Sequence, residues 1–196
     1  SRAEYRILLR QDDADARLTE RAYEIGLASR ERFDHWVQKK ECIQRIISFC
    51  ETATVKANDI NSALEHWGTS PLTGTVKLVD LIARPQLNVR NLAEVLPELK
   101  SVITEAPNRQ EEIMEAAEIK MKYKGYIERE KIVADKMRRL ENIRIKGHFN
   151  YEELHEISTE GRQKLARINP ETLAQASRIP GVSPSDINVL LVLMNR

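Results

Sequence analysis

Several features that would place this chain in a familiar functional class are scarce. Its 196 residues include two cysteines, seven glycines and seven prolines, and aromatic residues make up only 5%. Lysine and arginine number 31 against 30 aspartates and glutamates, which leaves a net charge of +1. That balance argues against a generally basic, histone-like coat but permits a local basic patch. The 41% of hydrophobic residues suffices for a buried core and excludes a wholly disordered chain.

Long apolar runs and disulfide-forming cysteines are also missing. No run approaches the roughly 18 apolar residues of a membrane span, and Ser1–Arg10 lacks a signal-peptide pattern. Cys42 and Cys50 lie in a predicted helix, which sets their Cα atoms about 12 Å apart, beyond the reach of a disulfide. We therefore expect two buried thiols in a reducing, cytoplasmic compartment. The start at Ser1 rather than at methionine predicts a piece of a longer protein.

The motifs of common enzyme classes do not occur. There is no Gly-x-Gly-x-x-Gly for a dinucleotide and no Gly-x-Ser-x-Gly for a nucleophile. Segment 68–74 has the two glycines of a phosphate loop one residue too far apart, with Lys77 displaced, so it predicts an ordinary interhelical loop. The four histidines have no partners at zinc-ligand spacing, so no metal is expected. We do not expect this chain to be an enzyme by itself.

The first ten residues predict a β-strand. Apolar side chains at positions 3, 5, 7 and 9 alternate with Glu4, Arg6 and Arg10, the period of a half-buried strand. A single strand needs a partner, and nothing downstream supplies one. We interpret residues 1–18 as the remnant strand and loop of a separate domain that precedes this chain.

The remainder predicts an all-α, multi-helix domain with a small helical bundle at its C-terminus. Gly26 is expected to end a first helix, Ser29 to cap a second, and Pro97 to restart a later one. A long central helix is predicted over about 107–143, with an apolar seam that should pack on a neighbouring helix. The seam consists of Ile119, Tyr123, Tyr126, Val133, Met137 and Leu140. Residues 19–146 form this helical domain and 147–196 the bundle.

Two proline pairs predict helix starts in the bundle. Asn169-Pro170 and Ser183-Pro184 each combine a capping residue with proline at the first helical position. Asp186 follows Ser183 by three residues, as in a capping box.

Two features could bind an anion. Charge switches along the long helix: ten Lys or Arg against four acids lie in 120–146, with Tyr123 and Tyr126 among them. Such a stretch could follow a phosphate backbone, although composition alone favours a solvated helix face with ion pairs. The turn at 179–184 resembles the glycine hairpin of a helix-hairpin-helix motif, where backbone N–H groups meet phosphate, but it also suits any tight turn.

Three segments resemble signature motifs of the GidA (MnmG) family. They are Ser-Arg-Ala-Glu-Tyr-Arg-Ile-Leu-Leu-Arg at 1–10 with Asp-Asp-Ala-Asp-Ala-Arg-Leu-Thr at 12–19, Lys-Tyr-Lys-Gly-Tyr-Ile-Glu-Arg at 122–129, and Gln-Ala-Ser-Arg-Ile-Pro-Gly-Val-Ser-Pro at 175–184. The resemblance covers the whole chain, with little signature between about 50 and 105. At Asp13 the family pattern has asparagine, and the added carboxylate would disfavour phosphate.

The resemblance implies the C-terminal helical part of a tRNA-modifying flavoenzyme. The family uses FAD, NADH and a folate-derived carbon and acts with the GTPase MnmE. Together they build the 5-carboxymethylaminomethyl or aminomethyl group on the wobble uridine of tRNA. The flavin-binding glycines and catalytic cysteines belong to a portion that this chain does not contain, and the resemblance makes residues 1–18 the last strand and loop of the flavin domain. No cofactor is therefore expected here, and the implied partners are MnmE, tRNA and a second copy of the parent, without a membrane.

The resemblance assigns roles to individual residues. The candidate tRNA-binding residues are Lys122, Lys124, Arg129 and Arg178. The basic residues of the first motif, near flavin and substrate in the family, are Arg2, Arg6, Arg10 and Arg17. Motif or partner candidates are Glu160, Ser177 and Gly181. No residue is assigned a catalytic role.

Two other classes of function compete with this interpretation. A purely structural helical interaction or dimerisation domain without RNA contact is compatible with the near-zero net charge. An autonomous enzyme would need a site that the sequence does not reveal.

Overall fold

The computed structural model describes residues 5–106 and 108–194, which are mostly helical. The predicted all-α class is therefore confirmed. The helices are α1 (Ala14–Glu24), α2 (Arg30–Thr52), α3 (Ala57–His66), α4 (Leu78–Ile82), α5 (Val89–Val95), α6 (Pro97–Thr104), α7 (Gln110–Lys122), α8 (Lys124–Glu141), α9 (Thr159–Ile168), α10 (Leu173–Ser177) and α11 (Pro184–Met194). Two 3-10 helices cover Arg6–Leu8 and Tyr151–Glu153, and two short strands are β1 (Thr54–Val55) and β2 (Val76–Lys77).

The chain divides into two compact units, one ending at Glu128 and the next beginning at Arg129. The division falls inside α8, whereas the sequence placed the boundary after residue 146. The predicted boundary after residue 18 falls inside α1. A helix continues its backbone hydrogen bonds whichever core its side chains join, so hydrophobic periodicity alone does not locate such a division.

Helix α2 is the centre of the first unit. Its apolar residues recur at three- and four-residue steps, which places them on one face, and Ile43, Ile46 and Cys50 are buried. This face packs against α4, α6 and α7, while α1 also lies against α2. The predicted cap is confirmed, because the Ser29 hydroxyl accepts a hydrogen bond from the Arg32 N–H at 3.2 Å.

The predicted N-terminal strand is wrong where the structure describes it. Residues 1–4 of that prediction, with Arg2, lie outside the described residues. Arg6–Leu8 forms a 3-10 helix in which the Leu8 N–H bonds to the Tyr5 carbonyl at 2.9 Å. Within the described chain, β1 and β2 pair only with each other, so this segment satisfies its backbone locally.

The β1–β2 pair closes the loop that follows α3. The strands are antiparallel, with Thr54 opposite Lys77 and Val55 opposite Val76. The Asn61 side chain holds the loop by bonding both backbone groups of Leu72, at 2.7 and 3.0 Å. The interhelical loop is thus confirmed. Helix α4 follows directly at Leu78, immediately after the second strand.

The long helix predicted over about 107–143 is two helices. Pro107, its predicted start, lies outside the described residues, and α7 ends where Tyr123 leaves helical geometry at φ −101° and ψ 9°. The predicted seam is only partly buried. Leu140 is buried, but Tyr123, Tyr126 and Val133 are 47%, 59% and 51% exposed. Heptad spacing therefore predicted a packed face over a stretch where the described residues supply no covering helix.

The second unit builds its own core from short helices. Leu140, Ile145, Leu165, Leu173 and Leu190 are buried together there. Asn169 does not cap a helix start as predicted. It ends α9 in the left-handed conformation at φ 49°, and Thr172 caps α10 instead by accepting a bond from the Gln175 N–H. Asparagine tolerates that conformation and Pro170 cannot continue a helix, so the pair acts as a stop signal.

Candidate functional site

The arginines of the first motif bind acidic neighbours. The Arg10 guanidinium contacts Asp12 at 2.9 and 3.0 Å, and Arg17 contacts Asp13 at 2.8 Å. Arg17 also donates to the Arg10 carbonyl at 3.0 Å. Arg6 is exposed and Arg2 lies outside the described residues.

These pairs limit what the first motif can bind. The hydrogen bond to Asp12 is the main cause of a raised pKa at Arg10, and the same bond lowers the pKa of Asp12 although burial opposes it. A phosphate approaching Arg10 or Arg17 would have to displace a carboxylate. Asp13, where the family pattern has asparagine, supplies one of them. The described part of this motif therefore does not by itself fit a flavin phosphate site.

Lys122 has a structural role rather than a free surface charge. Its ammonium donates to the Leu87 carbonyl at 2.6 Å and pairs with Glu118 at 2.9 Å, and its side chain is 19% exposed. The other Glu118 oxygen accepts a bond from the Val89 N–H at 3.1 Å. Together Glu118 and Lys122 clamp the backbone that leads into α5. Lys122 is therefore not a free surface charge in this structure, and its contact with tRNA stays a prediction.

The other predicted RNA-binding residues are also engaged, although they lie at the surface. Lys124 pairs with Glu51 at 2.9 Å, and this hydrogen bond raises the pKa of its exposed ammonium. Arg178 pairs with Glu141 at 2.5 Å. Arg129 is exposed but not free of interactions. Sequence spacing correctly marked a basic stretch, but not which of its cations have partners 37 or 73 residues away.

Cations that we did not single out from the sequence remain unpaired. The side chains of Lys131, Lys136, Arg138, Arg139 and Arg144 are exposed and form no hydrogen bond or ion pair within residues 5–106 and 108–194. The first four lie on α8 after Arg129, and the fifth follows that helix. Their only sequence signal was membership of the basic run at 120–146.

Asp186 joins the starts of two helices. Its carboxylate accepts four bonds: from the N–H groups of Ser158 and Ser183 at 2.8 Å, and from both serine hydroxyls at 2.9 Å. The Asp186 N–H donates to the Ser183 hydroxyl at 3.1 Å, which completes the predicted capping box. Burial favours the protonated acid, but these bonds outweigh it and lower the pKa of Asp186. The contribution of Ser158 was not predicted.

The glycine turn before α11 faces a carboxylate. Gly181 has φ +96°, and a Cβ atom added there would lie 2.8 Å from Cδ of Glu160, with Oε1 closer still. The N–H of Ser183 is already bonded to Asp186. A phosphate at this turn would meet the Glu160 charge, so the hairpin anion site is not favoured here. Ser177 donates to the Ala174 carbonyl at 2.8 Å, an intrahelical contact.

No metal or membrane-spanning feature accompanies these groups. Among the described residues no cluster of three or more His, Cys, Asp or Glu side chains could hold an ion. No described helix is long and apolar enough to cross a bilayer.

Comparison with known proteins gives a consistent relationship over the whole chain. Residues 30–131 match the family described as tRNA modifying enzyme MnmG/GidA C-terminal helical domain, and residues 133–196 match the C-terminal helical bundle of the same enzyme. The chain is 58% identical over 196 residues to the tRNA uridine 5-carboxymethylaminomethyl modification enzyme MnmG of Phocaeicola vulgatus, and 59% over 197 residues to that of Parabacteroides distasonis. All of this chain is covered, but only 32% of each relative.

A solved structure agrees with this relationship. GidA of Aquifex aeolicus in its form II crystal superposes with a TM-score of 0.65 at 28% identity, covering 100% of this chain and 29% of that one. Two consecutive family matches, relatives aligned from end to end and a common fold lead to one conclusion. This chain belongs to the MnmG/GidA family of tRNA-modifying enzymes and corresponds to its C-terminal helical region.

Proposed function

We propose that this chain is the tRNA-binding and GTPase-docking module of a flavin-dependent enzyme. With MnmE, that enzyme would install the 5-carboxymethylaminomethyl or aminomethyl group on the wobble uridine of tRNA. The chain spans about a third of its relatives' length, so FAD, NADH, homodimer formation and a cytoplasmic location are proposed for the parent protein. The first motif does not fit a flavin on its own, and no chemical step is assigned to these residues.

The division of charge between the two units carries the RNA-binding part of the proposal. Residues 129–196 contain twelve Lys or Arg against nine acidic residues, whereas residues 1–128 contain 19 against 21. The net charge of the whole chain is therefore close to zero although the C-terminal unit is basic. Neutralising phosphates with Lys and Arg releases counterions, which makes a basic surface of this kind suited to RNA.

Binding of tRNA by the full 196-residue chain at about 50 and 200 mM salt tests this role. Contacts to several phosphates predict a steep fall in affinity as salt rises. No binding at the lower salt would contradict the RNA-binding role and favour the alternative, a purely structural helical interaction or dimerisation domain. GTPase docking is tested separately with purified MnmE, and failure to form a complex would contradict that half alone.

A further inference from the structure

We propose that RNA phosphates bind to the exposed face of α8 formed by Lys131, Arg138 and Arg139, here called the α8 basic face. This inference rests on the proposed function and locates its binding surface. It replaces Lys122 and Lys124, which the sequence favoured. The ligand is a sugar-phosphate backbone, recognised by charge and without base-specific contacts.

The positions of these residues place them on the same side of the helix. At 3.6 residues per turn, Arg138 lies about 20° to one side of Lys131 and Arg139 about 80° to the other, so the three side chains fall within an arc of about 100°. They extend over about 10–12 Å along the axis at 1.5 Å per residue. All three are exposed. Such a row can contact consecutive parts of a nucleic-acid strand.

Within the described structure, the absence of ion pairs distinguishes the three cations of the α8 basic face from Lys122 and Lys124. No hydrogen bond or ion pair engages their side chains within the described ranges, whereas Lys122 and Lys124 are bound to carboxylates. A paired cation must give up its carboxylate before it can neutralise a phosphate. An unpaired one loses only water and its counterions. Phosphate binding at the α8 basic face should therefore be more favourable than phosphate binding at Lys122 or Lys124, because no ion pair has to be broken first.

The surroundings strengthen this surface. The side chains of Lys136 on α8 and Arg144 just after it are also exposed and unpaired in the described structure. Asp135 is the one acidic residue between Lys131 and Arg139, so positive charge dominates this segment. We expect the field of all five cations to draw a polyanion to this part of the second unit.

The composition favours RNA over a protein partner. Stable protein interfaces have an apolar, often aromatic centre from which lysine and other charged residues are depleted. The corresponding half of α8 exposes two large apolar side chains, Ile132 and Val133, among four cations. Two aliphatic residues do not make such a centre, whereas the cations suit phosphates.

Substitutions that remove positive charge in the full chain test the proposal. Lys131→Gln, Arg138→Gln and Arg139→Gln together remove three positive charges and keep good helix formers at each position. We expect tRNA affinity at about 50 mM salt to fall at least about tenfold. The salt slope should decrease by roughly three, one for each phosphate that the variant no longer neutralises. Circular dichroism should show an unchanged helix content.

A matched control removes the same charge elsewhere. Lys56→Gln, Lys77→Gln and Lys100→Gln replace three exposed lysines of the first unit whose side chains also form no pair in the described chain. This control should change affinity less than about twofold. In the opposite direction, Asp135→Asn should strengthen binding by removing the carboxylate that lies on this face, four residues from both Lys131 and Arg139.

Different results would overturn different parts. Wild-type affinity in the α8 triple variant, or equal reductions in both triple variants, would overturn the α8 basic face while leaving tRNA binding intact. A wild-type chain that does not bind tRNA would overturn both. Loss of MnmE binding with normal tRNA binding in the α8 variant would assign the face to the GTPase instead.

Discussion

At the scale of single residues, the Asp186 carboxylate stabilises the C-terminal unit by joining the starts of α9 and α11. It is 3% exposed, yet its pKa is lowered because four N–H and O–H donors outweigh the cost of burial. The position of the Asp186 carboxylate also explains why residue 161 is a glycine. A Cβ there would lie 2.8 Å from both an Asp186 oxygen and the Ser158 hydroxyl, too close for any side chain.

Asp186→Asn should destabilise this unit by about 2–3 kcal/mol at pH 7, because an amide NH₂ would face groups that are themselves donors. The folded pKa lies below the unfolded value of about 3.9. The stabilisation is therefore fully present above the unfolded pKa and is lost as pH falls through the folded pKa. Hydrogen exchange of α9 and α11 amides should show a difference between wild type and variant that shrinks from pH 5 to pH 2.

Asp135→Asn is the control, since this exposed carboxylate has no hydrogen bond or ion pair within the described residues. It should leave exchange in α9 and α11 unchanged at every pH. Equal protection of wild type and Asp186→Asn at pH 7 would disprove the role of the buried carboxylate.

The sequence predicted the contact of Asp186 with the nearby Ser183 but not its contact with the distant Ser158. The Ser183–Asp186 capping box follows from a spacing of three residues, because both partners belong to one helix start. Ser158 lies 28 residues earlier and reaches the same carboxylate only after folding. No local pattern encodes that contact.

At the scale of helices, the Glu118–Lys122 pair connects α7 to the backbone before α5. One side chain accepts from the Val89 N–H, and the other donates to the Leu87 carbonyl. Four-residue spacing keeps the two side chains on one face of α7. The pair thereby satisfies the first N–H of α5, which lacks a partner within the helix, and the Leu87 carbonyl just before it.

Lys122→Ala should therefore destabilise the first unit by about 1–2 kcal/mol, since it removes a charged hydrogen bond and a partly buried ion pair. Lys124→Ala, which breaks an exposed pair with Glu51, should change the free energy of unfolding much less, because solvent screens that pair. Urea unfolding followed by fluorescence of Trp36 and Trp67 reports this unit. Similar effects of the two substitutions would contradict the structural assignment of Lys122.

Helix ends were predicted better than helix continuity or partners. Ser29, Gly26 and Pro97 mark real ends because capping and proline geometry act within a few residues. The strand prediction, over the part that the structure describes, and the unbroken helix over 107–143 were wrong, since both required neighbours to pack against. Periodicity shows that a segment has an apolar side, but not whether another element covers it.

At the scale of the whole molecule, the cysteines report on the integrity of the first core. Cys42 and Cys50 are free and buried on the inner side of α2. Burial raises the pKa of the Cys50 thiol to about 12. Reaction needs both access and a thiolate, so folding suppresses it.

The native chain at pH 8 should react with an aromatic disulfide reagent far more slowly than the chain in guanidinium, where two thiols should titrate. Ser48→Cys places a thiol at an exposed position of α2 and should add one rapidly reacting group. Rapid native reaction of Cys50 would show that this core opens readily.

The distribution of available positive charge follows only from the sequence and the structure together. Counting along the chain identified a basic stretch, and counting by unit shows that the positive excess lies after Glu128. Ion pairs between distant residues then decide which cations remain available. Lys124 meets Glu51 and Arg178 meets Glu141, whereas Lys131 and Arg138 keep their charges unpaired in the described structure.

The sequence by itself determined the helical class, the main caps, the buried thiols and the family resemblance, because each depends on residue type and short spacing. The tertiary structure decided where the units divide, which carboxylate joins α9 to α11, and which lysines and arginines are neutralised. Those outcomes depend on residues that are distant along the chain and adjacent only after folding. The positive charge that a lysine or arginine offers to an anionic ligand therefore depends on the carboxylates that folding places beside it.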